Sequence, residues 1–62
     1  MQSRLVIWKD KESCTKYYKN KEYLRPEEID HQVKLAMENG SIITIDQNAL
    51  EGFKSEYNVS VY

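Results

Sequence analysis

Cys14 and His31 are the two side chains of this sequence whose chemistry suits nucleophilic catalysis, and each is the only residue of its type. A thiol is activated when a base such as imidazole lies within about 3 Å of it. No motif around either residue fixes such a contact. One cysteine and one histidine occur together by chance in many chains, so we interpret Cys14 as a small buried apolar residue. The sequence predicts no catalytic residue and no enzyme activity.

Glu27 and His31 stand four residues apart, a spacing that lets two side chains on one helix share a metal ion. Two ligands do not complete a site, and no second histidine is present. Asp30, Lys34 and Glu38 continue the spacing as alternating charges, which suit a solvated helix surface. Glycine-rich phosphate loops and the common hydrolase and zinc motifs are also missing from the sequence. We therefore predict no metal and no cofactor.

The length of the chain, 62 residues, predicts one small domain spanning residues 1–62. A domain of this size buries only about 60% of its unfolded surface and is marginally stable alone. A single cysteine excludes a disulfide within the chain, so self-association is the stabiliser that remains. We therefore expect a homodimer.

The apolar runs of the sequence are only a few residues long, and no signal-like segment follows Met1. A lone thiol is typical of proteins from a reducing compartment. These features predict a cytoplasmic protein without a membrane-spanning segment.

The N-terminal third predicts an antiparallel β-meander over roughly residues 3–24. The run SRLVIWK is rich in branched and aromatic residues, which favours a strand with both faces at least partly covered. The runs DKE and KN suggest turns that separate SCTKYY and KEYL as two further strands. Helical spacing is an open alternative for the second part, and four residues fit it: Cys14, Tyr17, Tyr18 and Lys21.

The main amphipathic helix is predicted over about residues 26–39. Pro26 suits the first helical position, where its missing N–H costs nothing. Leu24 and Ile29 have the spacing of a hydrophobic staple around a cap at Arg25. Gly40 follows the helix as a left-handed stop.

The remaining residues predict a strand, a short helix and a C-terminal strand. SIITID alternates apolar side chains on two faces, Asp46 can cap the helix, and NVSVY closes the chain. The complete pattern predicts a small single-domain α+β fold, in which helices pack on one face of a mixed sheet.

Charge and aromatic residues predict where a partner would bind. Residues 1–25 hold seven basic and three acidic side chains, whereas residues 26–62 hold two basic and seven acidic ones. Exposed aromatic residues are typical of protein interfaces, and Leu35 lies off the apolar stripe of its helix, where it could form a symmetric contact between copies. We predict a non-enzymatic protein-binding module, a small regulator or stoichiometric inhibitor, with these contact residues: Trp8, Tyr17, Tyr18, Tyr23, Leu35 and His31.

Single-stranded nucleic acid is the alternative partner. Aromatic side chains would stack on bases, and four basic residues would contact phosphates: Lys16, Lys19, Lys21 and Arg25. The acidic balance of the whole chain, with a formal net charge of −1, argues against this alternative.

Overall fold

The first strand is the centre of the sheet. The structure is a computed structural model that describes residues 2–62. Strand β1 (Gln2–Trp8) pairs with β2 (Ser41–Ile45) on one side and with β3 (Val59–Val61) on the other, in the order β2-β1-β3. The predicted α+β class, with a strand near each end of the chain, is confirmed. The predicted mixed sheet is wrong, because both pairings are antiparallel.

A helix replaces the last two strands of the predicted meander. Helix α1 (Lys11–Lys19) begins where Asp10 caps it, with the Ser13 N–H donating to the Asp10 carboxylate over 2.7 Å. That hydrogen bond is the main reason why the pKa of Asp10 is lowered, and a hydrogen bond from the Asn58 side chain lowers it further. The prediction of strands over this segment is wrong because DKE acts as a helix start, not as a reversal. The alternative helical spacing around Cys14 is the correct one.

Helix α2 (Pro26–Asn39) confirms the predicted main helix. Pro26 occupies its first turn, and Arg25 is the N-cap without a side-chain hydrogen bond. Gly40 ends the helix with φ of 79° and ψ of 178°, a backbone conformation that is essentially restricted to glycine. This sharp ending sends the chain directly into β2.

The predicted short helix after β2 is also confirmed. Asp46 accepts a hydrogen bond from the Asn48 N–H at 3.2 Å and starts a single 3-10 turn, Gln47–Ala49. Helix α3 (Leu50–Glu56) continues from that turn and leads into β3. None of the helices formed by residues 2–62 is long and apolar enough to span a bilayer.

The core lies between the helices and one face of the sheet. Strand alternation puts Val6 and Trp8 on this inner face, and both are buried. Val59 joins them from β3, while Val33 and Ala36 come from α2. All the described helices therefore cover the same side of the sheet, as the sequence predicted.

Candidate functional site

Trp8 is the centre of an aromatic core and not part of a contact surface. Its indole N–H donates to the Ser41 hydroxyl at 2.8 Å, and that hydroxyl also shares a hydrogen bond of 2.9 Å with the Tyr18 hydroxyl. The Tyr17 and Tyr18 rings lie 5.3 and 6.5 Å from the Trp8 ring. Of the predicted partner-binding residues, Trp8 is therefore buried, and Tyr17 and Tyr18 are partly buried against the core.

The other predicted partner-binding residues are exposed on the helical side of the molecule. Tyr23 lies in the connection between α1 and α2 and is 78% exposed. Leu35 and His31 lie one turn apart on α2, and both are exposed. Lys34 and Glu38 are exposed charged neighbours on this helix, which also carries the partly exposed Met37.

The predicted nucleic-acid surface loses its stacking platform. Lys16 forms an ion pair of 3.6 Å with Glu56, on α3. Lys21 lies 4.6 Å from the centre of the Tyr17 ring, which is itself packed against the core. Lys19 and Arg25 remain exposed. The basic residues are therefore at the surface, whereas Tyr23 alone among the predicted stacking rings is strongly exposed.

Cys14 and His31 do not share a site. Cys14 is fully buried on α1, whereas His31 lies on the exposed face of α2. Burial raises the pKa of the Cys14 thiol to about 11, which keeps it protonated and poorly nucleophilic at neutral pH. Among residues 2–62, no three or more histidine, cysteine, aspartate or glutamate side chains are grouped to hold a metal ion.

The raised thiol pKa predicts a pH-dependent loss of stability. An unfolded thiol ionises near pH 9, whereas the folded one resists ionisation up to about pH 11. The buried, protonated thiol therefore contributes fully to the stability of the fold below pH 9, and this contribution is lost as the pH rises to about 11. We expect the urea midpoint of the native protein to fall more steeply over this range than that of Cys14→Ala, since tyrosine ionisation is common to both proteins. Parallel pH profiles would contradict a buried, protonated thiol.

The face of the sheet opposite the helices is the candidate binding site. The strand register and the alternation of side chains put seven residues on it. None of these seven carries a charge, although 31% of the chain is charged. We call this surface the neutral face, and its residues are Ser3, Leu5, Ile7, Ile42, Thr44, Ser60 and Tyr62.

Most of the apolar members of the neutral face are open to solvent, and Leu5 is half-buried. Ile42 is 72% exposed and Tyr62 is 71% exposed, at opposite edges of the sheet. Ile7 lies between them on β1 and is 37% exposed. Tyr62 is held in place because its N–H donates to the Leu5 carbonyl at 2.8 Å, which extends the ladder beyond β3. The exposed aromatic ring is therefore attached to an ordered backbone.

Sequence reasoning did not identify the neutral face, although part of its signal was present. Alternation in SIITID separates Ile42 from Ile43, so the sequence showed that one isoleucine faces away from the core. The run around Ile7 predicts a strand with both faces at least partly covered, and the 37% exposure of Ile7 agrees with partial cover of the outer face. The positions of the helices, all on the inner face, decide which side remains open.

No protein-family model matches this chain, and no curated protein or solved structure shows detectable similarity to it.

Proposed function

We propose that this protein is a non-enzymatic protein-binding module, which acts in the cytoplasm as a small regulator or stoichiometric inhibitor of another protein. The neutral face is the observation that carries the proposal. The neutral face groups strongly exposed apolar side chains, one of them aromatic, on one sheet, and aromatic residues are enriched at protein interfaces. Ile42 and Tyr62 are both more than two-thirds exposed on one ordered sheet.

The composition of the neutral face favours a protein partner over nucleic acid. Affinity for nucleic acid depends on lysine and arginine side chains that neutralise phosphates, and none of the residues on this face is basic. Tyrosine and isoleucine supply contact area without a charged group that must lose its hydration. A partner with an apolar surface is therefore the best match.

The test compares two equivalent substitutions. Tyr62→Lys puts a charge on the neutral face, whereas Tyr23→Lys puts the same charge on the helical side, and the two tyrosines are 71% and 78% exposed. We expect the native protein and Tyr23→Lys to capture the same protein from lysate of the source cell or its host. Tyr62→Lys should reduce that capture by about tenfold or more, as expected for a charge buried in an interface. Quantitative mass spectrometry of the captured proteins measures the ratio.

Two outcomes would reject the neutral face as the binding site. Equal capture by Tyr62→Lys and the native protein would show that the partner binds elsewhere. A selective loss with Tyr23→Lys would assign binding to the helical side, where Leu35 and His31 are also exposed.

Nucleic acid binding is tested separately with a labelled single-stranded oligonucleotide. We expect no binding at micromolar concentrations of protein, because Trp8, Tyr17 and Tyr18 pack in or against the core and Lys16 is paired with Glu56. Fluorescence anisotropy at low and high salt is the measurement. Micromolar affinity that falls steeply with salt would favour the nucleic-acid alternative.

A further inference from the structure

The outer edge of β2 offers unpaired backbone groups. On β1, the odd-numbered residues bond to the β3 side, since Leu5 exchanges hydrogen bonds with Tyr62 and the Lys9 N–H donates to the Asn58 carbonyl. Bonding alternates along an antiparallel strand, so the even-numbered residues of β1 bond to β2. Their partners in β2 are odd-numbered. The N–H and C=O groups of Ile42 and Thr44 therefore point away from β1, toward the open edge.

The two edges of the sheet differ in how they resist pairing with another chain. Natural edge strands are protected by lysine, proline, a bulge or short length. Strand β3 has only three residues, whereas β2 has five and reads Ser-Ile-Ile-Thr-Ile. Within residues 41–45 there is no charge and no proline, and the register with β1 is continuous. The β2 edge therefore favours the addition of a strand.

We propose that β2 pairs antiparallel with β2 of a second copy of this chain and forms one continuous six-stranded sheet. A twofold axis beside Ile43 puts Ile42 of each copy opposite Thr44 of the other. Both residues then exchange backbone hydrogen bonds, four across the seam. The residues of β2 present no charge to their own copy, so the strand itself adds no charge repulsion to the pairing.

Backbone hydrogen bonds favour edge pairing over face-to-face stacking of two copies. Three strands spaced by about 4.8 Å, with five residues rising about 3.4 Å each, give a face of about 240 Å². A stable interface typically buries about 800 Å² of accessible surface on each partner, which neither stacking of the two faces nor pairing of one short edge reaches by area alone. Edge pairing uses backbone hydrogen bonds instead, and it leaves the neutral faces side by side with about twice the area. The use of this enlarged surface for binding a partner rests on the proposed function, whereas the pairing of the two β2 strands does not.

The test is the oligomeric state of three variants. Thr44→Pro removes an N–H that faces the open edge and leaves the β1–β2 ladder intact. Its control is Thr44→Val, which keeps the N–H. Both variants lose the side-chain hydrogen bond of 3.3 Å between Thr44 and Ser3. Ile42→Lys changes a side chain that is 72% exposed, and it tests the same edge if Thr44→Pro does not fold. Circular dichroism melts establish that each variant is folded.

Sedimentation equilibrium from about 10 µM to 1 mM covers the range of affinities that a seam of this size produces. We expect the native protein and Thr44→Val to reach twice the chain mass of 7.4 kDa. Thr44→Pro should raise the dissociation constant by about 30-fold, since each copy loses one bonded N–H. Ile42→Lys should also weaken the dimer.

A native protein whose mass stays at 7.4 kDa at every concentration would overturn the proposal. Folded edge variants that dimerise like the native protein would overturn it too. So would a dimer that the substitution Leu35→Glu alone dissociates. The last result would put the seam on α2. Tyr62→Lys lies at the opposite edge of the sheet and should leave the dimer intact. If the native protein dimerises but captures no partner through Tyr62, the proposed function is rejected and the pairing of the two β2 strands is retained.

Discussion

Trp8→Ala is expected to remove a large share of the free energy of unfolding of the domain. Besides its hydrogen bond to Ser41, the indole packs against rings from α1, α3 and the residue that follows α3. Those rings belong to Tyr17, Tyr18, Phe53 and Tyr57, with centres 5.3 to 6.5 Å from that of Trp8. Truncation of a buried tryptophan costs about 3–5 kcal/mol. At about 0.05–0.15 kcal/mol per residue, a domain of this length has only about 3–9 kcal/mol of total stability.

Urea denaturation followed by far-UV circular dichroism measures this effect. Tyr23→Ala is the matched aromatic control, because a side chain that is 78% exposed contributes within about 0.5 kcal/mol to stability. Trp8→Phe separates packing from hydrogen bonding, since it keeps a ring but leaves the Ser41 hydroxyl without the indole donor. Because the Ser41 hydroxyl keeps its hydrogen bond with the Tyr18 hydroxyl, we expect the loss of the indole donor to cost about 0.5–1.5 kcal/mol beyond any change in packing. A midpoint for Trp8→Ala equal to that of the native protein would contradict an aromatic core centred on Trp8.

Gly40→Ala is the second substitution with a large expected effect. Gly40 has φ of 79° and ψ of 178°, and a non-glycine residue held in such a conformation costs about 1–3 kcal/mol. A Cβ at this position would also lie 2.8 Å from Ile7 Cδ1 and 3.0 Å from the Val6 carbonyl oxygen. The backbone oxygen cannot move without disturbing β1. We therefore expect the loss of free energy of unfolding to exceed backbone strain alone.

Gly52→Ala is the control within the same chain. Gly52 lies in α3, and a Cβ added there meets nothing within 4 Å. Alanine in a helix is favoured over glycine by about 0.5–1 kcal/mol, so this substitution should raise stability. The opposite signs of the two glycine-to-alanine changes, measured in one series of urea melts, are the prediction. Equal effects would show that the helix-to-strand junction at Gly40 tolerates other backbone conformations.

The elements that were predicted correctly have strong local signals. Pro26 and Gly40 bracket α2, and Asp46 starts the short helix through a hydrogen bond to a residue two positions away. The error over residues 11–19 has a local cause too. The run SCTKYY suits a strand by composition and a helix by spacing, so the Asp10 cap decided between them.

The candidate site was less accessible to sequence reasoning than the fold. Tyr17, Tyr18, Tyr23 and Tyr62 are chemically identical, yet the first two pack against the core and the last two are more than 70% exposed. A tyrosine suits either place, because its ring is apolar and its hydroxyl is polar. Composition alone therefore cannot say which tyrosines are available to a partner.

The sequence by itself determined the α+β class, the bounds of α2, the strand after it and the buried character of Cys14, because caps, turn residues and apolar periodicity act over a few positions. Only the tertiary structure decided that β1 is central, that Trp8 is core and that Ile42 and Tyr62 are exposed. The physical reason is that a strand has two faces and two edges. Which of them remains open depends on where helices and strands distant in sequence pack, and no short run of residues encodes that arrangement.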